Sequence, residues 1–199
     1  MRYYEELQGT QSVFLITGTP GTGKTTVSIQ VAKRMSADYL SVTKLVRKHQ
    51  LQVGFDYKRR TRVVDLRKTR AKLRQVLQKH AGTVIVDTHL PDAVPKEVVK
   101  KVIVLRCDPR VLKSRLRAKG WNARKVRENV LAEILDSCLM VALGYYGVKK
   151  IIQLDTSDSS VSACVTSTTD ALLRRSTKGT KIDWISTLEK QNALTEFLV

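Results

Sequence analysis

The stretch that most constrains this chain is Val13-Phe-Leu-Ile-Thr-Gly-Thr-Pro-Gly-Thr-Gly-Lys-Thr-Thr26, which contains Gly18-x-x-x-x-Gly23-Lys24-Thr25 between an apolar run and a helix-compatible run. That order is the context a phosphate-binding loop requires. Glycines at 18, 21 and 23 let successive backbone N–H groups turn into one concave anion nest. Lys24 adds a mobile cation for the β- and γ-phosphates, Thr25 offers a hydroxyl to Mg²⁺, and the following helix N-terminus adds free N–H groups and its dipole. A Gly-rich turn with an incidental lysine is the competing explanation, and the full motif after Val13-Phe14-Leu15-Ile16 outweighs it.

The rest of the chain alternates short apolar runs with amphipathic ones. Strands are predicted over 13–17, 37–42, 83–87, 99–105 and 151–154. Helices are predicted over 24–35, 44–49 behind a Thr43 cap, and 63–80 with Leu66, Leu73 and Leu77 on one side. Asp108-Pro109 opens a further helix, Lys119-Gly120-Trp121 interrupts it, and Asn122 caps the next. In that helix Val126, Val130, Ile134, Cys138 and Val141 recur on one face until Gly147. Val161, Val165 and Leu172 mark one more. Residues 50–62 read as a loop, 1–11 as a polar leader, 174–180 as a linker, and 183–191 as a short terminal helix carrying Trp184, Ile185 and Leu188. The pattern predicts an α/β three-layer fold with about five mostly parallel strands. Residues 1–173 form the nucleotide-binding domain, and 174–199 form a linker and helical tail.

Charge is distributed unevenly. The chain carries a formal +18, with 31 Lys/Arg against 12 Asp/Glu in residues 1–154 and 5 against 6 thereafter. Lys58 to Arg74 holds nine basic residues and one acid, and Lys100 to Arg127 holds eleven and one. A phosphate-handling site needs only a few of these. A polyanion such as RNA would use the others, and general solubility would account for them equally. Cys107, Cys138 and Cys164 lack any metal-ligand spacing and fit reduced, packed thiols. No apolar run has the length of a membrane span and no signal-peptide core is present, so a cytoplasmic protein without a membrane partner is expected.

Three further elements bear on chemistry. Val84-Ile-Val-Asp87 is an apolar strand ending in an acid, placed to hold Mg²⁺ opposite Thr25. His89 follows two residues later, where it can orient a water or an accepting phosphate, or simply bond to its own turn. The basic segment 115–127, hinged at Gly120, fits a lid that closes over a triphosphate, excludes water and spreads positive charge over the transferring group. The guanine-recognition sequence Asn-Lys-x-Asp is absent, which counts against a regulatory GTPase.

From Val13 to Leu173 these motifs, taken together and in order, resemble the small atypical adenylate kinases of the isoenzyme-six type. Gly18 to Thr26 is similar to the family phosphate loop and Val84 to His89 to its strand-end motif. Val104-Leu-Arg106-x-Asp108 with Arg115-Leu-x-x-Lys119-Gly120-Trp121-Asn122-x-x-Lys125 is similar to its lid region. The resemblance implies transfer of the ATP γ-phosphate to AMP and Mg²⁺-dependent ATP hydrolysis linked to small ribosomal subunit assembly. A small-subunit platform protein and ribosomal RNA would be the partners.

By resemblance, Lys24, Asp87 and His89 are catalytic, and Gly21, Thr22, Gly23, Lys24, Thr25, Thr26 and Lys119 contact ATP. Thr25 and Asp87 hold the metal, residues 41–64 bind the nucleoside monophosphate with Arg47 on its phosphate, and Arg115 and Arg124 supply lid contacts. Lys119 stands where an arginine is common, and Asp155-Thr-Ser-Asp158 lacks a lysine found near the adenine in some members. An assembly ATPase with incidental kinase turnover is the alternative, as is a kinase acting on a non-nucleotide small molecule.

Overall fold

In the computed structural model, residues 11–57, 61–173 and 181–198 are described. The expected leader and the 174–180 linker therefore fall almost wholly outside the described residues. Five parallel strands form the central sheet: β1 (Ser12–Gly18), β2 (Asp38–Ser41), β5 (Thr83–Asp87), β6 (Val99–Arg106) and β7 (Ile151–Asp155). Their spatial order is β2-β5-β1-β6-β7. The three inner strands, β5, β1 and β6, are buried, which is why their sequences are near-continuous apolar runs, while the edge strand β2 (Asp-Tyr-Leu-Ser) is partly exposed.

Alternation along β1 sends its side chains to two cores. Val13 and Leu15 pack with Leu45, Leu73, Leu77 and Tyr146 of helices α2 (Val42–Lys48), α3 (Leu66–Leu77) and α6 (Ser137–Tyr146). Phe14 and Ile16 pack with Val27, Val31, Val165 and Leu172 of α1 (Lys24–Arg34) and α7 (Val161–Leu173). A third cluster joins α4 (Pro109–Ala118) and α5 (Ala123–Ile134) to the terminal helices α8 (Trp184–Lys190) and α9 (Thr195–Leu198), through Leu112, Leu116, Val130, Leu188 and Phe197. Burial of each such large side chain contributes about 1.5–3 kcal/mol. The tail is thereby docked on its Trp184 and Leu188 face, while Ile185 remains 38% exposed.

From β1 the chain crosses to β2 on one side of the sheet, and from β6 it crosses to β7 on the other. The C-terminal ends of β1 and β6 therefore border the crevice where such sheets bind ligands.

Four expectations are corrected. Residues 50–62 are not an open loop: β3 (Gln52–Asp56) and β4 (Thr61–Val64) pair antiparallel as a separate two-stranded sheet. This ribbon has no buried face of its own, so its sequence lacks clean alternation, and the register shift between Gln52 and Gly54 blurs it further. Helix α3 begins at Leu66 rather than 63, because the Asp65 side chain caps it by accepting from the Lys68 N–H at 2.9 Å. Ser41, not Thr43, caps α2. The helix expected from Asn122 to 146 is two helices, bent by 48° at Leu135-Asp136, with Asp136 in the left-handed region at φ 53°. No single helix among the described residues is long and apolar enough to cross a membrane, and this bent pair buries Val126, Val130, Ile134, Leu139 and Ala142 in the protein.

Candidate active site

The phosphate loop leaves β1 at Gly18 and enters α1 at Lys24. Gly18 lies against β6, where an added Cβ would sit 2.3 Å from the Leu105 carbonyl oxygen. Gly23 occupies the N-cap position in the left-handed conformation, φ 93°, and no side chain caps the helix. The first N–H groups of α1 are thus left to face an anion, in open space on the Gly23 side. Thr22 is buried, its hydroxyl donating to the Thr19 carbonyl at 3.0 Å, while Thr26 is exposed on the first turn of α1.

Lys24 is buried, and its Nζ donates to the Thr19 carbonyl at 3.0 Å. Burial lowers its pKa, opposed by the charges of Asp87 and Glu133 and assisted by Lys119. Lys119, on the turn between α4 and α5, is therefore within electrostatic reach of the cradle.

Asp87, at the end of β5, is 5% exposed. Its Oδ2 accepts from the Thr25 hydroxyl at 2.8 Å and the Tyr39 hydroxyl at 3.1 Å. Burial and the adjoining carboxylate push the Tyr39 phenol up to about 12. Thr25 and Asp87 thus present two hard oxygen donors side by side at the mouth of the cradle. Mg²⁺ takes one or two such oxygens from a protein and completes its octahedron with water and phosphate, so this pair fits it. Among the described residues there is no cluster of three or more His, Cys, Asp or Glu that would make an all-protein cage.

A cavity of about 360 Å³ lies next to Asp87. Arg47 and Thr43 of α2, Gln52 and Arg62 of the ribbon, and Thr88, His89 and Leu90 from the end of β5 line it. The ribbon missed at sequence level is thus one wall of this cavity, and the Arg62 guanidinium is held there by Gln52 at 2.9 Å. His89 lines the cavity and is exposed to solvent. Burial, and then the charge of Lys24, push its pKa down to about 4, so the imidazole is neutral at pH 7. No hydrogen bond to its own turn holds the ring among the contacts described.

The two arginines expected to supply lid contacts are held differently. Arg115 donates through Nη2 to the Thr156 and Ser157 carbonyls at 2.7 and 3.0 Å, fastening α4 to the loop after β7. Thr156 in turn donates to the Thr22 carbonyl at 3.0 Å, tying that loop to the cradle. Arg124 pairs with Glu128 one turn along α5. These partners, Thr156, Ser157 and Glu128, lie outside the Gly18–Thr25 loop.

The least legible residue is Glu133. It is 2% exposed, and its Oε1 accepts from Arg106 Nε at 2.7 Å, the Cys107 N–H at 3.1 Å and the Trp184 indole N–H at 3.1 Å. Its Oε2 accepts from the Thr19 hydroxyl. Arg106, itself 1% exposed, also reaches Gln153, the Glu133 carbonyl and the Asp136 carboxylate. The Asp136 pairing accounts for the break between α5 and α6. No local sequence signal marks Glu133, since its partners lie 26 to 114 residues away.

A phosphate cradle with a paired hydroxyl and carboxylate that fit a divalent cation, on this five-stranded parallel sheet, defines the class by fold: a P-loop kinase fold. Solved structures agree on the fold. Shikimate kinase from Acinetobacter baumannii superposes with a TM-score of 0.57 at 14% identity, covering 85% of this chain and 97% of that one. A gluconokinase from Sinorhizobium meliloti 1021 gives 0.53 at 13%, covering 83% and 92%.

An AAA domain family model matches residues 15–136. The "Putative adenylate kinase" of Methanocaldococcus jannaschii is 32% identical over 169 residues, 85% of this chain and 90% of that protein. The adenylate kinase isoenzyme 6 homologs of Schizosaccharomyces pombe and Caenorhabditis elegans are 36% and 34% identical, over 70% and 71% of this chain and 79% and 78% of theirs. The chain belongs to this isoenzyme-6-type family of adenylate kinase-like nucleotide kinases.

Proposed function

We propose that the protein transfers the γ-phosphoryl group of ATP to AMP. The observation that carries this reading is the cavity lined by Arg47, Arg62 and His89, whose wall includes Thr88, the residue that follows Asp87 at the end of β5. Its volume lies at the lower end of the roughly 300–1,000 Å³ typical of small-ligand pockets, which suits a nucleoside monophosphate.

In this account the backbone N–H groups of Gly21 to Thr26 and the Lys24 ammonium hold the donor phosphates, and Arg47 with Arg62 holds the phosphate of AMP. An AMP phosphate oxygen attacks the γ-phosphorus in line, and the bond to the β,γ-bridging oxygen breaks, so two ADP molecules result. Thr25 and Asp87 would hold Mg²⁺, which when bound would neutralise charge on the phosphates. Neutral His89 accepts a hydrogen bond at the acceptor side, and Lys119 on the α4–α5 turn adds positive charge to the transferring group. Arg115 acts by ordering the Thr156–Ser157 loop, and lid closure that freed Arg115 or Arg124 would let either reach the phosphates. Positioning and electrostatics supply most of the acceleration in such a transfer.

Replacing Arg47 with Ala tests the assignment: KM for AMP rises by about ten-fold or more while KM for ATP stays within about two-fold. Equal effects on both would remove Arg47 from the acceptor site.

The concentration of basic residues in the kinase body supports a second role, as a cytoplasmic ATPase in small ribosomal subunit assembly with a platform protein and ribosomal RNA as partners. RNA binding that weakens steeply with salt is the expected result, and a flat salt response would contradict it.

A further inference from the structure

We propose that Trp184 and Glu133 are positioning residues for the phosphate cradle, so that the C-terminal helix α8 is a working part of the nucleotide site. A continuous chain of hydrogen bonds leads there. The Trp184 indole N–H donates to Glu133 Oε1 at 3.1 Å, Glu133 Oε2 accepts from the Thr19 hydroxyl, and the Thr19 carbonyl accepts from Lys24 Nζ at 3.0 Å. Every member is less than 10% exposed. Thr19 is the second residue of the Gly18–Thr25 loop, so fixing both its side chain and its carbonyl sets where the Lys24 ammonium stands relative to the cradle.

Two features make this more than tail packing. Glu133 is satisfied by four donors arriving from three parts of the chain: the loop (Thr19), the end of β6 (Arg106 and the adjoining Cys107 N–H), and α8 (Trp184). Loss of any one lets the carboxylate rotate toward the others, and buried networks of this kind respond cooperatively. The Glu133 charge also acts on Lys24 directly, raising its pKa against the lowering by burial. Helix α8 is otherwise far from the site in sequence, 165 positions after Thr19.

The inference rests on the phosphate loop as the ATP site and not on AMP as acceptor, so it is tested by equilibrium binding. ATP affinity is measured by titration calorimetry on the full chain for the wild type, Trp184→Phe, Thr19→Val and the double variant. Phe keeps one aromatic ring and removes the N–H together with the pyrrole ring, so the Tm of each variant is recorded to separate lost packing from the lost hydrogen bond; Val keeps the shape of Thr19 and puts a methyl in place of the hydroxyl.

Network positions of this kind shift binding on the order of three- to thirty-fold. Trp184→Phe is expected to weaken ATP binding within that range, and in the Thr19→Val background it should weaken it no further. Hydrogen exchange on the same samples should show protection lost over residues 13–26 and kept over 161–173. Unchanged ATP affinity in folded Trp184→Phe, or effects of the two substitutions that simply multiply, would overturn the proposal. So would exchange that quickens equally in both segments. Failure of the wild type to bind ATP would instead refute the phosphate-loop assignment.

Discussion

Replacement of Arg106 by Met tests the buried network most severely. Arg106 is 1% exposed and donates to Glu133, Gln153, Asp136 and the Glu133 carbonyl. Met fills much of the volume but leaves two carboxylates without their cation, and breaking a buried pair in this way costs about 3–5 kcal/mol. The lower end applies, because Glu133 keeps donors from Thr19, Cys107 and Trp184, and Asp136, 31% exposed, regains water.

For a chain of this size a loss of about 3 kcal/mol lowers Tm by about 6–12 °C. Denaturant unfolding of Arg106→Met measures the loss, with Lys68→Met as the reference. The Lys68 ammonium is 66% exposed and 3.7 Å from Asp65, a surface pair worth about 0.5 kcal/mol or less. Adding Glu133→Gln and Asp136→Asn to Arg106→Met should recover about half of the deficit by removing the unpaired charges. The reasoning fails if Arg106→Met costs no more than Lys68→Met, or if neutralising both carboxylates deepens the loss.

Other expectations follow from single contacts. Gly18→Ala forces a Cβ to 2.3 Å from the Leu105 carbonyl oxygen at φ 142°, and should destabilise the protein by about 2–4 kcal/mol in the same unfolding assay. Cys107 is fully buried and its thiol is pushed up to about 12 by burial, so at pH 8 about one part in ten thousand is thiolate. Mass spectrometry after brief alkylation of the native protein should find Cys107 unmodified and find it labelled after unfolding. Asp87→Asn removes the charged metal oxygen while leaving a group that can accept from Thr25, and ATP turnover should fall by about a hundred-fold or more with little change in Tm.

Much of the site was legible because its parts are local. The glycine spacing, the apolar run ending at Asp87, the Asp108-Pro109 helix start and the Asn122 cap each depend on residues a few positions apart, and each stands where the pattern put it. The ribbon at 52–64 was not legible, since a two-stranded sheet standing beside the core leaves Val53, Phe55 and Val63 exposed and shows no period-2 burial. The bend at Asp136 was hidden for another reason. Apolar periodicity runs on through Cys138 and Val141, and only a carboxylate reaching Arg106, 30 residues back, turns the chain. Tyr39 on Asp87 and Trp184 on Glu133 are likewise products of strand order and tail docking rather than of any spacing.

The central claim is that phosphoryl transfer runs from the cradle to a monophosphate in the Arg47 cavity. Purified protein supplied with Mg²⁺ and γ-labelled ATP, with and without AMP, tests it directly by separating ADP from inorganic phosphate. The account predicts that AMP converts label into ADP, two ADP forming for each ATP consumed, and that Lys24→Ala abolishes this. Label released only as inorganic phosphate, at a rate indifferent to AMP, would contradict it.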